Sequence, residues 1–197
     1  MTYADATRLQ KEIAKKVVAR DDFGEISRIC GVDVAYDGDD AYCSAVVMEG
    51  GSVVETADSI TTVKHPYIPG LLMLREAEPV LHTLAMLKGG YDLLLVDGHG
   101  RLHPRKCGLA CYLGVTLDKP AIGVAKSRLC GTVRPDGFVE MGGEILGYKI
   151  GKKIFVSVGH RTSLETAIAI VRELGTEPLR LADMNSKAQK RRKGLMP

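Results

Sequence analysis

The chain has 197 residues and a formal net charge of +3 at pH 7, enough length for one domain that buries about 70% of its unfolded surface without covalent staples. Its cysteines, Cys30, Cys43, Cys107, Cys111 and Cys130, are odd in number and include no Cys-x-x-Cys pair, which excludes a fully paired disulfide framework and the commonest zinc and redox motifs. Residues 1–20 are charged and carry no apolar h-region, and no apolar run reaches bilayer length, so a cytoplasmic protein without membrane association is expected.

Positive charge is concentrated rather than spread. Between His99 and Arg134, seven lysines and arginines face a single acid, Asp118, and from about residue 184 a basic tail follows with Lys187, Lys190, Arg191, Arg192 and Lys193. Without that tail the rest of the chain is mildly acidic. Such a stripe suits a phosphodiester backbone, and the tail reads either as a solvated terminus or as a nucleic-acid contact.

In chain order, residues 4–19 place Leu9, Ile13, Val17 and Val18 at helical spacing. Three β-branched runs follow, over 26–36, 41–49 and 53–63, separated by the turn clusters Asp37-Gly38-Asp39-Asp40 and Gly50-Gly51-Ser52. After Pro66-Tyr67-Ile68-Pro69-Gly70, residues 71–87 read as helix, kinked or restarted at Pro79. A strand over 93–97, a helix over 107–117, a strand over 121–125, a hairpin around 138–148, a strand over 153–158 and a helix over 164–174 complete the pattern. Hairpins first and strand–helix alternation later predict an α/β fold whose mixed sheet combines antiparallel hairpins with parallel strands between flanking helices. No repeat or linker divides residues 1–197, which read as a single domain.

Three acids stand on three consecutive core elements. Asp33 interrupts the apolar strand Gly31-Val32-Asp33-Val34-Ala35, Glu76 lies on the helix after the proline turn, and Asp97 ends Leu93-Leu94-Leu95-Val96 before the loop Gly98-His99-Gly100. Ligands in open α/β sheets collect beyond the carboxyl ends of such strands. If the first strand neighbours the one ending in Asp97, two carboxylates about 5 Å apart repel by about 3 kcal/mol at an effective dielectric of 20, and a divalent cation relieves the repulsion. All-oxygen ligands favour Mg²⁺, with Mn²⁺ as substitute, over zinc, and a metal site on a basic surface points to phosphodiester chemistry. Each acid alone also has a plain reading: Asp97 as a turn cap, Asp33 paired with Lys126 or an arginine, Glu76 as an exposed helical residue.

These motifs resemble the endonuclease V family, which has a ribonuclease H-like fold and acts on deaminated bases. The resemblance runs through Gly31-Val32-Asp33, through Pro66-Tyr67-Ile68-Pro69-Gly70 with the following Leu-Leu-Met-Leu-Arg-Glu76, and through Asp97-Gly98-His99-Gly100 with His103-Pro104-Arg105-Lys106. It continues in Gly123-Val124-Ala125-Lys126-Ser127 and Gly159-His160-Arg161-Thr162-Ser163-Leu164-Glu165. It implies that Asp33, Glu76 and Asp97 bind metal, joined by Asp183, which as an isolated residue also reads as the cap of a last short helix.

The same resemblance implies that Tyr67, Ile68 and Pro69 form a wedge that separates the target base from its neighbours. An aromatic and two apolar groups on a stiff turn can stack on unstacked bases, although they could equally pack on the core. The flipped base would lie against backbone near Gly70, Leu72, Gly108 and Leu109, where N–H and C=O groups distinguish hypoxanthine from adenine. Lys126 would hold phosphate or the attacking water, or else pair with one of the acids, and His103 would contact phosphate or a metal-bound water. His99 and the His160-Arg161 pair are candidates for supporting contacts. The implied activity is Mg²⁺-dependent cleavage of inosine-containing DNA or RNA at the second phosphodiester bond 3′ to the lesion, in DNA repair or inosine-RNA processing, with no obligate protein partner.

Overall fold

The computed structural model describes residues 2–193. Helix α1 (Tyr3–Lys16) is opened by a reciprocal cap in which Asp5 N donates to Thr2 Oγ1 at 3.1 Å while the Asp5 carboxylate accepts from Thr2. It ends before Val17, earlier than its apolar spacing suggests, because Val17 turns extended and packs with Ile13, Cys107 and Cys111. Strands β1 (Arg28–Asp37), β2 (Asp40–Glu49) and β3 (Ser52–Thr62) form the expected antiparallel meander.

Helix α2 (Met73–Leu84) contains Pro79 without breaking. The proline removes the N–H that would serve the Arg75 carbonyl, and the Tyr36 hydroxyl approaches that oxygen at 3.4 Å. Next come β4 (Leu93–Asp97), α3 (Leu109–Leu117), β5 (Ala121–Ala125), β6 (Thr132–Val133), β7 (Phe138–Met141), β8 (Glu144–Ile150), β9 (Ile154–His160), α4 (Leu164–Leu174) and α5 (Glu177–Lys193). Among the described residues the strands form one sheet in the order β3-β2-β1-β4-β5-β9-β8-β7-β6. β1, β4 and β5 run parallel at its centre, and the remaining neighbours are antiparallel.

Side chains alternate across this centre, as a two-residue period requires. Cys30, Val32, Leu94 and Val96 pack beneath α2 and α3, whereas Ile29, Leu93 and Leu95 pack beneath α4 and α5. Full burial of one such leucine contributes roughly 1.5–3 kcal/mol, so the alternation fixes which way the strand-borne acids point.

Helix α5 is the largest departure from expectation. Residues from about 184 continue a helix that lies over β1 and β2, and Asp183 sits in its interior rather than capping it. The helix meets β1 at Gly31, where a Cβ would stand 2.3 Å from the Pro178 carbonyl carbon; only a glycine allows the two backbones so close. No described helix is long and apolar enough to cross a membrane.

Candidate active site

The parallel register Val32↔Val96 places Asp33 and Asp97 beside each other on the α5 side of the sheet. Burial comes first, and the negative charge of Asp97 second, in pushing the Asp33 carboxyl up to about 7. Ser186 Oγ on α5 donates to Asp33 Oδ2 at 3.2 Å. Glu76 arrives from the opposite layer, in the first turn of α2. Burial, followed by the charges of Asp33 and Asp97, pushes it up to about 8.

Lys126, just past β5, offsets part of this negative charge. Its Nζ lies 2.5 Å from Asp97 Oδ2 and 3.6 Å from Asp183 Oδ1. Partial burial works against the ammonium, but hydrogen bonding to Asp97 and the three nearby acids outweigh it and raise its pKa. Asp183 also receives Lys187 Nζ at 2.7 Å, from one turn further along α5.

Among the described residues, no three His, Cys, Asp or Glu side chains are arranged to hold a metal ion as they stand. The donor chemistry nevertheless fits a hard divalent cation. Asp33, Glu76 and Asp97 offer only oxygens, and the Asp33 and Glu76 carboxyls hold their protons more tightly because of burial first and neighbouring negative charge second.

These acids form one side of a cavity of about 430 Å³, with Asp183 and Lys126 beside them. Tyr67, Gly70, Leu72, Gly108 and Leu109 line the other side. Tyr67 is 63% exposed. Ile68 and Pro69 do not line the cavity: Ile68 packs against the core beneath α2, and Pro69 is exposed beside it. Of the three residues expected to form a wedge, therefore, Tyr67 alone lines the cavity.

Gly70 is held by an unusual concentration of donors. With φ at +77°, it turns its carbonyl toward His103 Nε2 at 3.0 Å, Arg105 Nη2 at 2.7 Å and Gln10 Nε2 at 3.0 Å. His103 Nδ1 accepts from the Arg105 backbone N–H at 3.1 Å, which places the ring proton on Nε2. Burial lowers His103 to about 4, so it stays neutral near pH 7. Expected to touch phosphate or a metal-bound water, His103 has both ring nitrogens engaged and instead anchors the Gly70 loop.

The opposite loop is built with equal economy of space. Gly108 donates to Gly100 O at 2.9 Å, and a Cβ on it would lie 2.1 Å from His99 O. His99 bonds through Nε2 to Ser127 O at 2.9 Å and lines the cavity. His160 and Arg161 lie elsewhere: His160 Nδ1 accepts from Val18 N at 3.2 Å, and Arg161 forks onto Asp118 at 2.9 Å.

Sequence reasoning missed Gln10, Arg105 and Ser186. Gln10 is 1% exposed and continues the buried stripe of α1 between Ala6 and Ile13. A polar residue at that spacing was the available signal, since burial of an amide demands hydrogen-bond partners.

Comparison with known proteins agrees with this arrangement. The Endonuclease V family profile matches residues 11–184. An Endonuclease V from Thermofilum pendens is 45% identical, covering 94% of this chain and 88% of its own length. Another from Roseiflexus sp. is 41% identical over 85% of this chain and 82% of its own. The crystal structure of Streptomyces avermitilis Endonuclease V superposes with a TM-score of 0.89 at 33% identity, covering 98% of this chain and 95% of that one. Ciona intestinalis Endonuclease V, solved with a 24mer DNA containing an inosine followed by a ribo-adenosine, has a TM-score of 0.85 at 29% identity over 96% of this chain and 98% of its own. The chain belongs to the endonuclease V family of nucleases.

Proposed function

We propose that this chain is a Mg²⁺-dependent endonuclease that recognises inosine or deoxyinosine and hydrolyses the second phosphodiester bond on its 3′ side, leaving 3′-hydroxyl and 5′-phosphate ends. The observation that carries this reading is the sharing of one cavity by the acidic set, Lys126 and the Gly70 and Gly108 loops. A relative solved on inosine-containing DNA supports the choice of substrate. Repair of deaminated DNA or processing of inosine-containing RNA is the corresponding role.

Asp33, Glu76 and Asp97 would hold the cation, with Asp183 completing the set. When bound, Mg²⁺ supplies Lewis acidity that activates water and stabilises the leaving oxygen. Lys126, whose ammonium lies at the edge of the acidic set, would hold a phosphate oxygen as a point charge. Tyr67 stacks against the bases from which the lesion is withdrawn. The backbone at Leu109, the first residue of α3, stands where a helix has N–H groups outside its own hydrogen-bond ladder, suited to the O6 acceptor of hypoxanthine. Adenine presents an amino donor there and is rejected.

Strand cleavage tests the proposal directly. Matched inosine and adenosine strands, as DNA and as RNA, are incubated with Mg²⁺ or with chelator at physiological salt. The expected result is cutting of inosine strands alone, dependent on Mg²⁺. Equal cutting of adenosine strands, or undiminished cutting in chelator, refutes it.

A further inference from the structure

A second cavity, of about 240 Å³, opens beside the acidic set on the α5 side of the sheet. Its walls are Val124 and Ala125 of β5, Ile154 at the start of β9, and Thr176 and Leu179 where α5 begins. Val124 and Leu179 belong to the core beneath α4 and α5, whereas Leu72 and Leu109 of the first cavity belong to the core beneath α2 and α3. The two cavities meet at Asp97, Lys126 and Asp183, which line both.

A phosphate held at Lys126 therefore has a hollow on either side. The first has been read as the lesion pocket. For a strand whose flipped base lay there and whose cleaved phosphate lay at the acids, the second hollow is the one adjoining Lys126 beyond that phosphate. That hollow is smaller than the ~300 Å³ at which sites for drug-sized ligands begin, a size suited to a single base. Away from its charged mouth, its walls are aliphatic apart from Thr176 and Arg180. The Arg180 guanidinium is already engaged by Glu177, at 2.6 and 2.7 Å. Such walls enclose the face of any base but present little pattern of donors and acceptors to tell one from another.

We propose that this second cavity receives the base of the nucleotide immediately 3′ of the cleaved bond, whichever base that is. The proposal rests on the reading of the first cavity as the lesion pocket. The nucleotide held is the one that leaves carrying the 5′-phosphate, so the cavity fixes the departing side of the bond as the lesion pocket fixes the retained side.

The test uses single-stranded inosine oligonucleotides in which that nucleotide is either intact or abasic, cleaved by the wild-type chain and by Ile154→Trp, which fills the cavity. In the wild type, loss of the base is expected to lower kcat/KM about tenfold, in keeping with one enclosed base. In Ile154→Trp the intact strand falls to the level of the abasic one, and removing the base has no further effect. Thr176→Trp fills the same space from the α5 side and is expected to behave alike, which keeps the test decisive if Ile154→Trp does not fold. Inosine-specific cleavage at equal rates for intact and abasic strands overturns this proposal alone, as does an abasic effect that persists unchanged in the filled variants. A strong preference for one base at this position overturns its indifference to base identity. Loss of inosine specificity altogether overturns instead the reading on which it rests.

Discussion

The side-chain amide of Gln10 donates to the Gly70 carbonyl at 3.0 Å and, from the same nitrogen, to the Cys107 carbonyl at 2.9 Å. One residue of α1 thus ties together the two loops that face each other across the first cavity. Gln10→Ala leaves the Cys107 carbonyl without this donor and strips Arg105 of an acceptor, at a cost of about 1–3 kcal/mol. Because Gly70 keeps His103 and Arg105, the loop should loosen rather than unfold. KM for inosine strands should rise more than kcat falls, and Gln10→Glu, which retains the acceptor but neither donor, should behave similarly. Steady-state kinetics with a thermal melt check this; a melting shift with unchanged KM would assign Gln10 to stability alone.

Lys126 and Asp97 offer a second pair of substitutions. Asp97→Asn should abolish cleavage while inosine strands still bind, since on the proposed function it removes an oxygen that would hold the cation and leaves the Gly70 and Gly108 loops intact. Lys126→Met should also lower cleavage, with a stability change below about 1 kcal/mol because the lysine side chain is 69% exposed. Binding and cleavage assays on the same strands separate the two effects. Full activity of Asp97→Asn with Mg²⁺ would remove this residue from the chemistry.

Tyr67 is exposed and contributes little to the core, so Tyr67→Ala should leave the melting temperature nearly unchanged. Affinity for inosine strands should fall by about 1–3 kcal/mol if the ring stacks on a base. A binding titration with intact affinity would return Tyr67 to an ordinary surface role.

His103 makes stability depend on pH. Burial lowers it from 6.5 to about 4, so the unfolded chain binds this proton more readily than the folded one. The stability associated with the neutral ring is fully present above pH 6.5 and is lost as pH falls toward 4, with a slope approaching 1.4 kcal/mol per pH unit. His103→Gln keeps a donor for Gly70 and should flatten the stability profile between these values. Denaturant unfolding at stepped pH measures it; identical slopes in the two chains would show that other groups carry the acid sensitivity.

The legible parts of the site were those carried by regular strands. Asp33 and Asp97 break apolar runs whose alternation sets their direction, and the parallel register then brings them together. Glu76 was legible as a helical acid following the proline turn. Helix α5 was not, because its outer face holds the basic residues and its buried positions include Ala182 and Ser186, too small and too polar to mark an apolar period. The tyrosine turn was half legible: its apolar composition is real, but the chain path sends Ile68 inward and leaves Tyr67 outside. For Lys126 the structure shows the pairing with an acid that the sequence offered as one alternative, with Asp97 as the partner.

Helix α5 follows every strand in chain order and supplies Asp183, Ser186 and one wall of the second cavity. During synthesis, Asp33, Glu76 and Asp97 are therefore all made before the element that covers their side of the sheet. A growing chain can form its central strands while the Gly31 surface that receives Pro178 is still bare. Completion of the acidic edge is thus coupled to the arrival of helix α5, which closes over a sheet whose strands already exist.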